Sequence, residues 1–147
     1  MPDTNQNRLE EARGFIAALP YCGVLRLDVE EVGEGEVTIL MPYHEDLIGD
    51  PATGVVHGGA VTALMDTCSG AAVMSHPQAG LNTATLDLRI DYMRAAVPGQ
   101  TIRARAVCTR VTRSIAFVHA TAFDDDSGDP IATAAGAFTV AASGEVA

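Results

Sequence analysis

The chain has 147 residues, of which 48% are hydrophobic and 19% charged, so it can bury one core and needs no second domain. We therefore expect a single domain over residues 1–147. The formal net charge of −10 and the pI of about 4.6 disfavour polyanionic partners, so we expect neither nucleic acid nor an anionic membrane surface. Small molecules and further copies of the chain are the favoured partners.

The N-terminal part is predicted to form one helix and one β-hairpin. Residues 1–7 are polar and expected to be loose. Segments 22–31 and 35–42 alternate apolar and polar residues around a Gly-Glu-Gly turn, a pattern typical of two paired strands. Helical spacing of apolar side chains predicts an amphipathic cap helix in residues 1–20; these side chains are Leu9, Ala12, Phe15, Ile16 and Leu19.

Segment 43–57 is long for a connection and leads directly into the most apolar part of the chain. Long loops of this kind are often functional. Between residues 55 and 75, the only acidic, basic or imidazole side chains are those of His57 and Asp66. Residues 60–74 have the length and the Ala/Leu/Met content of a helix, and we expect this helix to be buried on all sides.

Asp66 is the residue of this helix that requires an explanation. A carboxylate in a buried helix costs roughly several kcal/mol unless it is paired or changes its protonation. One interpretation is catalytic. The other is structural, with the carboxylate held by hydroxyl groups such as those of Thr62 or Thr67. The residues alone favour neither interpretation.

Gly58 and Gly59 stand where the helix is predicted to begin, after the turn-prone segment 50–54. Backbone N–H groups at a helix start, together with the helix dipole, form a site for an anion or a developing oxyanion. We therefore expect both glycines to face a ligand. The alternative is that the pair only permits close packing, with His57 as a structural cap that donates a ring N–H to a carbonyl group.

The spacing between Gly58 and Asp66 predicts an assembly. The two residues are eight positions apart, which is about 12 Å along one helix at about 1.5 Å per residue. They cannot both contact one carbonyl group of a ligand. If both act on the same group, they come from two antiparallel copies of the helix, which predicts a two-fold dimer with two composite sites.

Four strand-like runs follow the break at residues 76–80. Helices do not alternate with these strands, so the order disfavours a βαβ fold. It predicts an α+β fold over residues 21–140, in which one curved antiparallel sheet wraps around one long helix. The four runs are 82–94, 100–111, 114–124 and 131–140.

The basic residues are all arginines, and six of the nine fall between residues 89 and 113. A local cationic region in an acidic chain suits phosphate groups, because a guanidinium group binds a phosphate with two N–H donors. Arg94 and Arg113 are the favoured phosphate ligands. The alternative is that residues such as Arg103 and Arg105 form the solvent-exposed face of an alternating strand.

The chain has an odd number of cysteines, which are Cys22, Cys68 and Cys108. The N-terminal residues do not show the pattern of a secretory signal peptide, which is a basic segment and then an apolar segment before a cleavage site. These features predict a reducing, cytoplasmic location. Cys68 falls on the predicted helix and is expected to be a small core residue. The spacing of the four histidines gives a metal site no local support, so we expect no metal.

Several of these motifs together resemble a known family. His57-Gly58-Gly59, Asp66 after six residues, the run 83–94 and Pro98-Gly99 are similar to the hotdog-fold acyl-CoA thioesterases of the PaaI (phenylacetic acid degradation) type, in the 4HBT thioesterase superfamily. The likeness covers about residues 20–140. It implies the hotdog fold, an acyl-CoA substrate, no cofactor beyond that coenzyme A, and a homodimer or homotetramer.

The resemblance also implies roles for single residues. The glycine that matches Gly58 polarises the thioester carbonyl through its N–H, and the aspartate that matches Asp66 acts from the other subunit. His57 matches a histidine that orients the site, and Thr85 matches a hydroxyl residue that positions water. Many members carry an asparagine in the loop where this chain reads Asp50-Pro51, so it is open whether Asp50 contributes to substrate binding.

We therefore expect hydrolysis of acyl-CoA to a carboxylic acid and coenzyme A, with Asp66 as general base or nucleophile. A hotdog hydratase is disfavoured, because those enzymes resemble one another by an Asp and a His at the start of the central helix. A non-catalytic acyl-CoA-binding or sensor protein is the stronger alternative, since the changed loop at Asp50 could mark lost activity. Aromatic and medium-chain acyl groups both remain open.

Overall fold

The computed structural model describes residues 4–141. Two helices precede a β-hairpin, a short ribbon leads into one long helix, and four strands complete the chain. In order, the elements are α1 (Thr4–Ala18), α2 (Pro20–Val24), β1 (Asp28–Val32), β2 (Glu36–Met41), a 3-10 turn (Glu45–Leu47), β3 (Ile48–Asp50), β4 (Val55–Val56), α3 (Gly58–Ser75), β5 (Thr85–Tyr92), β6 (Ile102–Val111), β7 (Ile115–Phe123) and β8 (Ala132–Thr139).

The main sheet has six antiparallel strands in the order β1-β2-β6-β7-β8-β5. The strand that follows α3 in the chain, β5, therefore lies at one edge and pairs only with β8 among the described strands. Strands β3 and β4 form a separate small ribbon directly before α3. Helix α3 packs against the sheet, chiefly on β2, β6 and β7. The predicted α+β arrangement of one sheet around one long helix is confirmed.

The core lies between α3 and the inner face of the sheet. On the helix, Leu64, Met65 and Cys68 are fully buried. On strand β6, buried and partly exposed positions alternate, as the period of two in a strand requires. Many inner positions of β6, β7 and β8 are alanines with no exposed surface, which lets the helix lie close to the sheet. The helix ends at Ser75, just before His76 and Pro77, because a residue that precedes proline is pushed out of helical geometry.

The first strand begins later than the alternating pattern predicted. Residues 22–27 are not part of a strand, since Pro20 at the first helical position begins the short helix α2. The hairpin itself is confirmed, with β1 and β2 paired from Asp28 to Val32. The polar N-terminus also differs from its prediction, because α1 already begins at Thr4; residues 1–3 lie outside the described part of the chain.

The prediction that α3 is buried on all sides is wrong for the single chain. Thr62 is exposed, and Asp66 and Ala71 are partly exposed. The reason is geometric: the sheet covers only one side of the helix, and small apolar residues on the other side give the same composition as a buried helix. No helix within residues 4–141 is long and apolar enough to cross a membrane.

Candidate active site

His57 caps the N-terminus of α3. Its ring Nδ1 accepts a hydrogen bond from the Gly59 N–H at 2.8 Å, and the backbone N–H of His57 donates to the Leu47 carbonyl oxygen at 2.7 Å. A side chain at position 59 would place its Cβ 2.8 Å from Nδ1, so glycine is required for the cap. The ring nitrogen Nδ1 therefore accepts a hydrogen bond, whereas the structural alternative considered from the sequence was a ring N–H that donates one. The Gly59 N–H is already bonded, which leaves it unavailable to a substrate.

Gly58 presents an open backbone donor beside this cap. Within residues 4–141 the Gly58 N–H makes no hydrogen bond, as expected for the first turn of a helix. Its carbonyl oxygen, in contrast, accepts from the hydroxyl groups of Tyr92 at 2.8 Å and Thr62 at 3.1 Å. These two hydroxyl groups also contact each other. The Gly58 peptide is thus held from its carbonyl side.

Tyr92 is a site residue that the sequence did not reveal. It stands at the end of β5, where an aromatic residue in an apolar pattern predicts a wall of the core or of a pocket. Its ring lies next to Gly58, about one van der Waals contact from where a Cβ would stand. No local signal in the sequence marks this role, because it depends on how β5 lies across the start of α3.

Asp66 and Thr85 are brought together within one chain. The Thr85 hydroxyl donates to Asp66 Oδ1 at 2.7 Å. No other hydrogen bond to the Asp66 carboxylate occurs in the described part of the chain, so Oδ2 stays open. The hydroxyl that holds the carboxylate belongs to β5, and neither Thr62 nor Thr67 takes that role.

A cleft of about 890 Å³ opens beside this carboxylate. It lies between α1, the second half of α3 and the ends of β5 and β8. Among the described residues of its lining Asp66 is the only charged one, and Thr85 stands next to it. The volume is within the range of about 300–1,000 Å³ that small-molecule sites have. The arrangement therefore offers one carboxylate at the edge of a largely apolar cleft.

Arg94 is not free to bind a phosphate, contrary to what the sequence suggested. Its guanidinium group binds both carboxylate oxygens of Asp124, at 2.7 and 2.8 Å, and donates further to the carbonyl oxygens of Ala95 and Asp129. The hydrogen bonds from Arg94 hold the pKa of the buried Asp124 well below its usual value. These donors already have partners, so the role of Arg94 here is structural.

Arg113 differs from Arg94 because its side chain is exposed and has no ion pair or hydrogen bond within residues 4–141. It lies in the turn between β6 and β7, next to Ser114, whose carbonyl oxygen accepts from the N–H of Val140. Val140 lines the cleft beside Asp66. Within the described part of the chain, Arg113 is therefore an exposed cation without a partner, one residue from the backbone contact with Val140.

The other polar candidates have structural partners. The Asp50 carboxylate accepts from the Ala52 N–H at 3.0 Å and the Thr53 hydroxyl at 3.1 Å, so it holds the turn between β3 and β4. Arg103 and Arg105 form exposed ion pairs with glutamates of the first hairpin, which is the alternative considered for them.

Cys68 is fully buried, as expected for a core residue. Burial raises the pKa of its thiol to about 12, so the thiol is not a nucleophile at neutral pH. In the part of the chain that the structure describes, the three cysteines are free, and no group of three His, Cys, Asp or Glu side chains could hold a metal ion. The cytoplasmic location stays a prediction.

Comparison with known proteins identifies the family. The sequence profile of the thioesterase superfamily matches residues 53–131, more than half of the chain. The chain belongs to the thioesterase superfamily. A Halobacterium salinarum protein that carries the provisional name of an esterase is 43% identical over 76 residues, which are 49% of this chain and 50% of that protein. A solved Pseudomonas aeruginosa structure is 45% identical with a TM-score of 0.82, over 91% of this chain and 99% of that one.

More distant structures of this superfamily share the fold. The Escherichia coli PaaI protein from the phenylacetic acid degradation operon has a TM-score of 0.82 at 18% identity, covering 95% of this chain and 96% of its own. A Streptococcus pneumoniae thioesterase solved with coenzyme A has a TM-score of 0.70 at 22% identity, covering 79% and 86%. The hotdog fold is thereby confirmed. Membership of the superfamily supports thioester hydrolysis as the general activity.

Proposed function

We propose that this thioesterase superfamily protein hydrolyses acyl-CoA thioesters to a carboxylic acid and coenzyme A. The observation that carries the proposal is the Asp66 carboxylate, held by Thr85 on one oxygen, open on the other, and standing at the edge of an apolar cleft. Coenzyme A bound to the distant Streptococcus pneumoniae thioesterase supports the choice of thiol.

In this proposal Asp66 and Thr85 act on one side of the thioester. The open Oδ2 of Asp66 either takes a proton from the attacking water or attacks the carbonyl carbon itself. Thr85 donates its proton to Oδ1, so it fixes the carboxylate and leaves its own oxygen lone pairs for the water. The reacting groups are then held in place before the reaction begins.

The Gly58 N–H supplies the second part of the site. An unbonded N–H at a helix N-terminus stabilises the negative charge that develops on the thioester oxygen. The Gly58 N–H shares its peptide plane with the His57 carbonyl oxygen, which accepts from the Ala60 N–H at 3.0 Å. Tyr92 and Thr62 hold the adjoining peptide plane by the Gly58 carbonyl oxygen. His57 completes the turn by bonding the neighbouring N–H.

A dimer through β5 brings these two parts together. Strand β5 has an unpaired edge within residues 4–141, and its Leu86 is 56% exposed. Asp66 of α3 lies beside Thr85 at the start of β5, and Gly58 of α3 lies beside Tyr92 at the end of β5. If β5 pairs antiparallel with β5 of a second copy, Asp66 of one chain comes level with Gly58 of the partner subunit. The composite site inferred from the spacing then forms twice.

The side chains of β5 favour one register for that pairing. With Leu88 opposite its own copy, Asp87 faces Arg89 of the partner subunit, and Leu86 faces Ile90 of the partner subunit. Opposite charges and apolar residues across neighbouring strands are stabilising, whereas like charges are not. A register centred on Arg89 would instead place Asp87 opposite an aspartate, so we assign the axis to Leu88.

Replacing Asp66 by asparagine tests the proposal. Asp66→Asn keeps the shape of the side chain but removes both base and nucleophile, so release of free thiol from acyl-CoA should fall by roughly 10²–10⁴-fold. A thermal melt of the same protein should show an unchanged or raised melting temperature, since a carboxylate near an apolar cleft is replaced by a neutral group.

Two results would contradict the proposal. Retained turnover with a lowered melting temperature would mean that Asp66 only holds its neighbours. Tight binding of acyl-CoA by the wild-type protein without any thiol release would identify a non-catalytic acyl-CoA-binding protein instead.

A further inference from the structure

The cleft that begins at Asp66 has a lining that suits one half of a thioester and not the other. Coenzyme A carries several phosphate charges, while the only charge in the part of the lining that the structure describes is that of Asp66, which would repel them. We propose that this cleft is the acyl subsite and takes an uncharged acyl chain of medium length. This inference rests on the proposed hydrolysis of acyl-CoA.

Large apolar side chains surround the cleft without being covered. Phe15 reaches it from α1, Leu19 from the residue after α1, and Leu81 from the segment before β5; their exposed fractions are 47%, 36% and 81%. Apolar groups left open to water around a concave site are typical of a surface that a ligand covers. An alkyl chain in the cleft would remove these apolar side chains from water.

The length of the cleft sets the expected length of the chain. It follows α3 from Asp66 to Met74, eight residues and about 12 Å of helix. With carbon–carbon bonds of about 1.5 Å in a zigzag, this accommodates roughly eight to ten carbons. Gly70 and Ala71 lie on the helix between the two ends, and their small side chains leave the cleft open along its course.

The far end of the cleft limits the benefit of a longer chain. A second cavity, of about 610 Å³, shares Phe15, Met74 and Leu81 with the first and continues beneath α1. Its lining includes Arg8 and Glu11. A chain that reached these charged groups would strip water from them, so each carbon beyond the first cavity should add little.

Other acyl groups fit this lining less well. A second carboxylate on the acyl group would find no cation in the cleft and would meet the charge of Asp66. A phenylacetyl group would fill the end near Asp66 and leave Phe15 and Met74 uncovered. The elongated form of the cleft therefore favours a chain over a ring.

A chain-length series on the full protein tests the inference. We would measure thiol release from butyryl-, hexanoyl-, octanoyl-, decanoyl-, dodecanoyl- and phenylacetyl-CoA. We expect kcat/KM to rise about two- to threefold per added CH₂, somewhat less than the value for complete burial because the cleft is open on one side. The rise should level off near ten carbons, and phenylacetyl-CoA should be a poorer substrate than octanoyl-CoA.

Two variants locate the effect in the cleft. Ala71→Leu fills its middle and should lower kcat/KM for decanoyl-CoA at least tenfold while changing that for butyryl-CoA less than twofold. Phe15→Ala removes a half-exposed side chain, so the fold is not at risk, and should lower the decanoyl value about fivefold. Ala17→Leu, the same change at an exposed position of α1 outside the lining, is the matched control and should behave as wild type.

The outcomes separate this inference from the function on which it rests. If none of the thioesters is hydrolysed, both fail. If butyryl-CoA is hydrolysed in a manner that depends on Asp66, but kcat/KM is independent of chain length or highest for phenylacetyl-CoA, hydrolysis stands and the subsite assignment is overturned. The assignment is also overturned if Ala71→Leu and Phe15→Ala leave the profile unchanged, which would indicate that another copy of the chain covers the cleft.

Discussion

The residue with the most constrained surroundings at the proposed site is Gly58. Its N–H is open while its carbonyl oxygen is bound by two hydroxyl groups, and its neighbour Gly59 is locked by His57. The backbone therefore offers one donor in one fixed direction. Electrostatic stabilisation of a developing charge depends on this kind of prior orientation, because no energy is then spent on turning the donor during the reaction.

Tyr92 should matter for turnover and little for stability. Tyr92→Phe removes the hydroxyl group that holds the Gly58 carbonyl, and we expect kcat to fall about tenfold with KM nearly unchanged, less than for loss of an oxyanion donor itself. Tyr21→Phe is the control, since Tyr21 is exposed on α2 and is not one of the hydroxyl residues that bind the Gly58 carbonyl oxygen. A lowered melting temperature with kcat intact would show that the contact serves the fold alone.

The Arg94–Asp124 pair should stabilise the protein in a pH-dependent way. Because the pKa of Asp124 is lowered by Arg94, its contribution is complete above the usual carboxyl value of 3.8 and is lost as the pH falls through the lower folded value. Asp124→Asn should lower the melting temperature by several degrees at pH 7, and its difference from wild type should shrink below pH 4. Glu36→Gln, which removes an exposed ion pair with Arg105, should change little at either pH.

At the scale of elements, the sequence predicted whether a segment is a helix or a strand better than it predicted the residues at which that element begins and ends. The long helix follows from its length and composition, the first hairpin and the four later strands follow from their apolar patterns, and all are present. The start of β1 was misplaced because Pro20 can begin a helix as well as end one. The exposed side of α3 was missed because small apolar residues do not reveal what covers them.

The same limit applies to the candidate site. Asp66 was noticeable as an isolated carboxylate, whereas its contact with Thr85 is seen only in the structure. The contact between Tyr92 and Gly58, and the engagement of Arg94 by Asp124, join residues more than 25 positions apart in the chain. Such contacts are fixed by sheet order, which local patterns do not encode.

Strand β5 makes the proposed dimer testable by charge exchange. Asp87→Arg should place like charges opposite each other twice per dimer and raise the dimer dissociation constant about tenfold. Asp87→Arg combined with Arg89→Asp should recover much of the affinity, though less than all, since Arg89 also pairs with Asp91 in its own chain. Light scattering over a concentration series measures the dissociation constants of both variants.

A wild-type protein that is active as a 15.3 kDa monomer would refute the composite site.

At the scale of the whole molecule, the charge of −10 opposes a polyanionic substrate, so a local cation gains importance. Arg113 is an exposed arginine that forms no ion pair within residues 4–141. Arg113→Ala should raise KM for acyl-CoA about tenfold and leave hydrolysis of the same acyl group on a small uncharged thiol unchanged. Arg105→Ala, on an exposed strand face, is the control. Equal effects on both substrates would mean that Arg113 acts through the fold.

The three thiols have a practical consequence for any such measurement. Cys22, Cys68 and Cys108 are all buried, and burial raises the pKa of each, so the reactive thiolate is scarce and out of reach in the native protein. A chromogenic thiol reagent should therefore measure released coenzyme A without a contribution from the thiols of the folded protein. Without substrate, the same reagent would report the rate of global unfolding, because colour would appear only as fast as the core opens and exposes the three thiols.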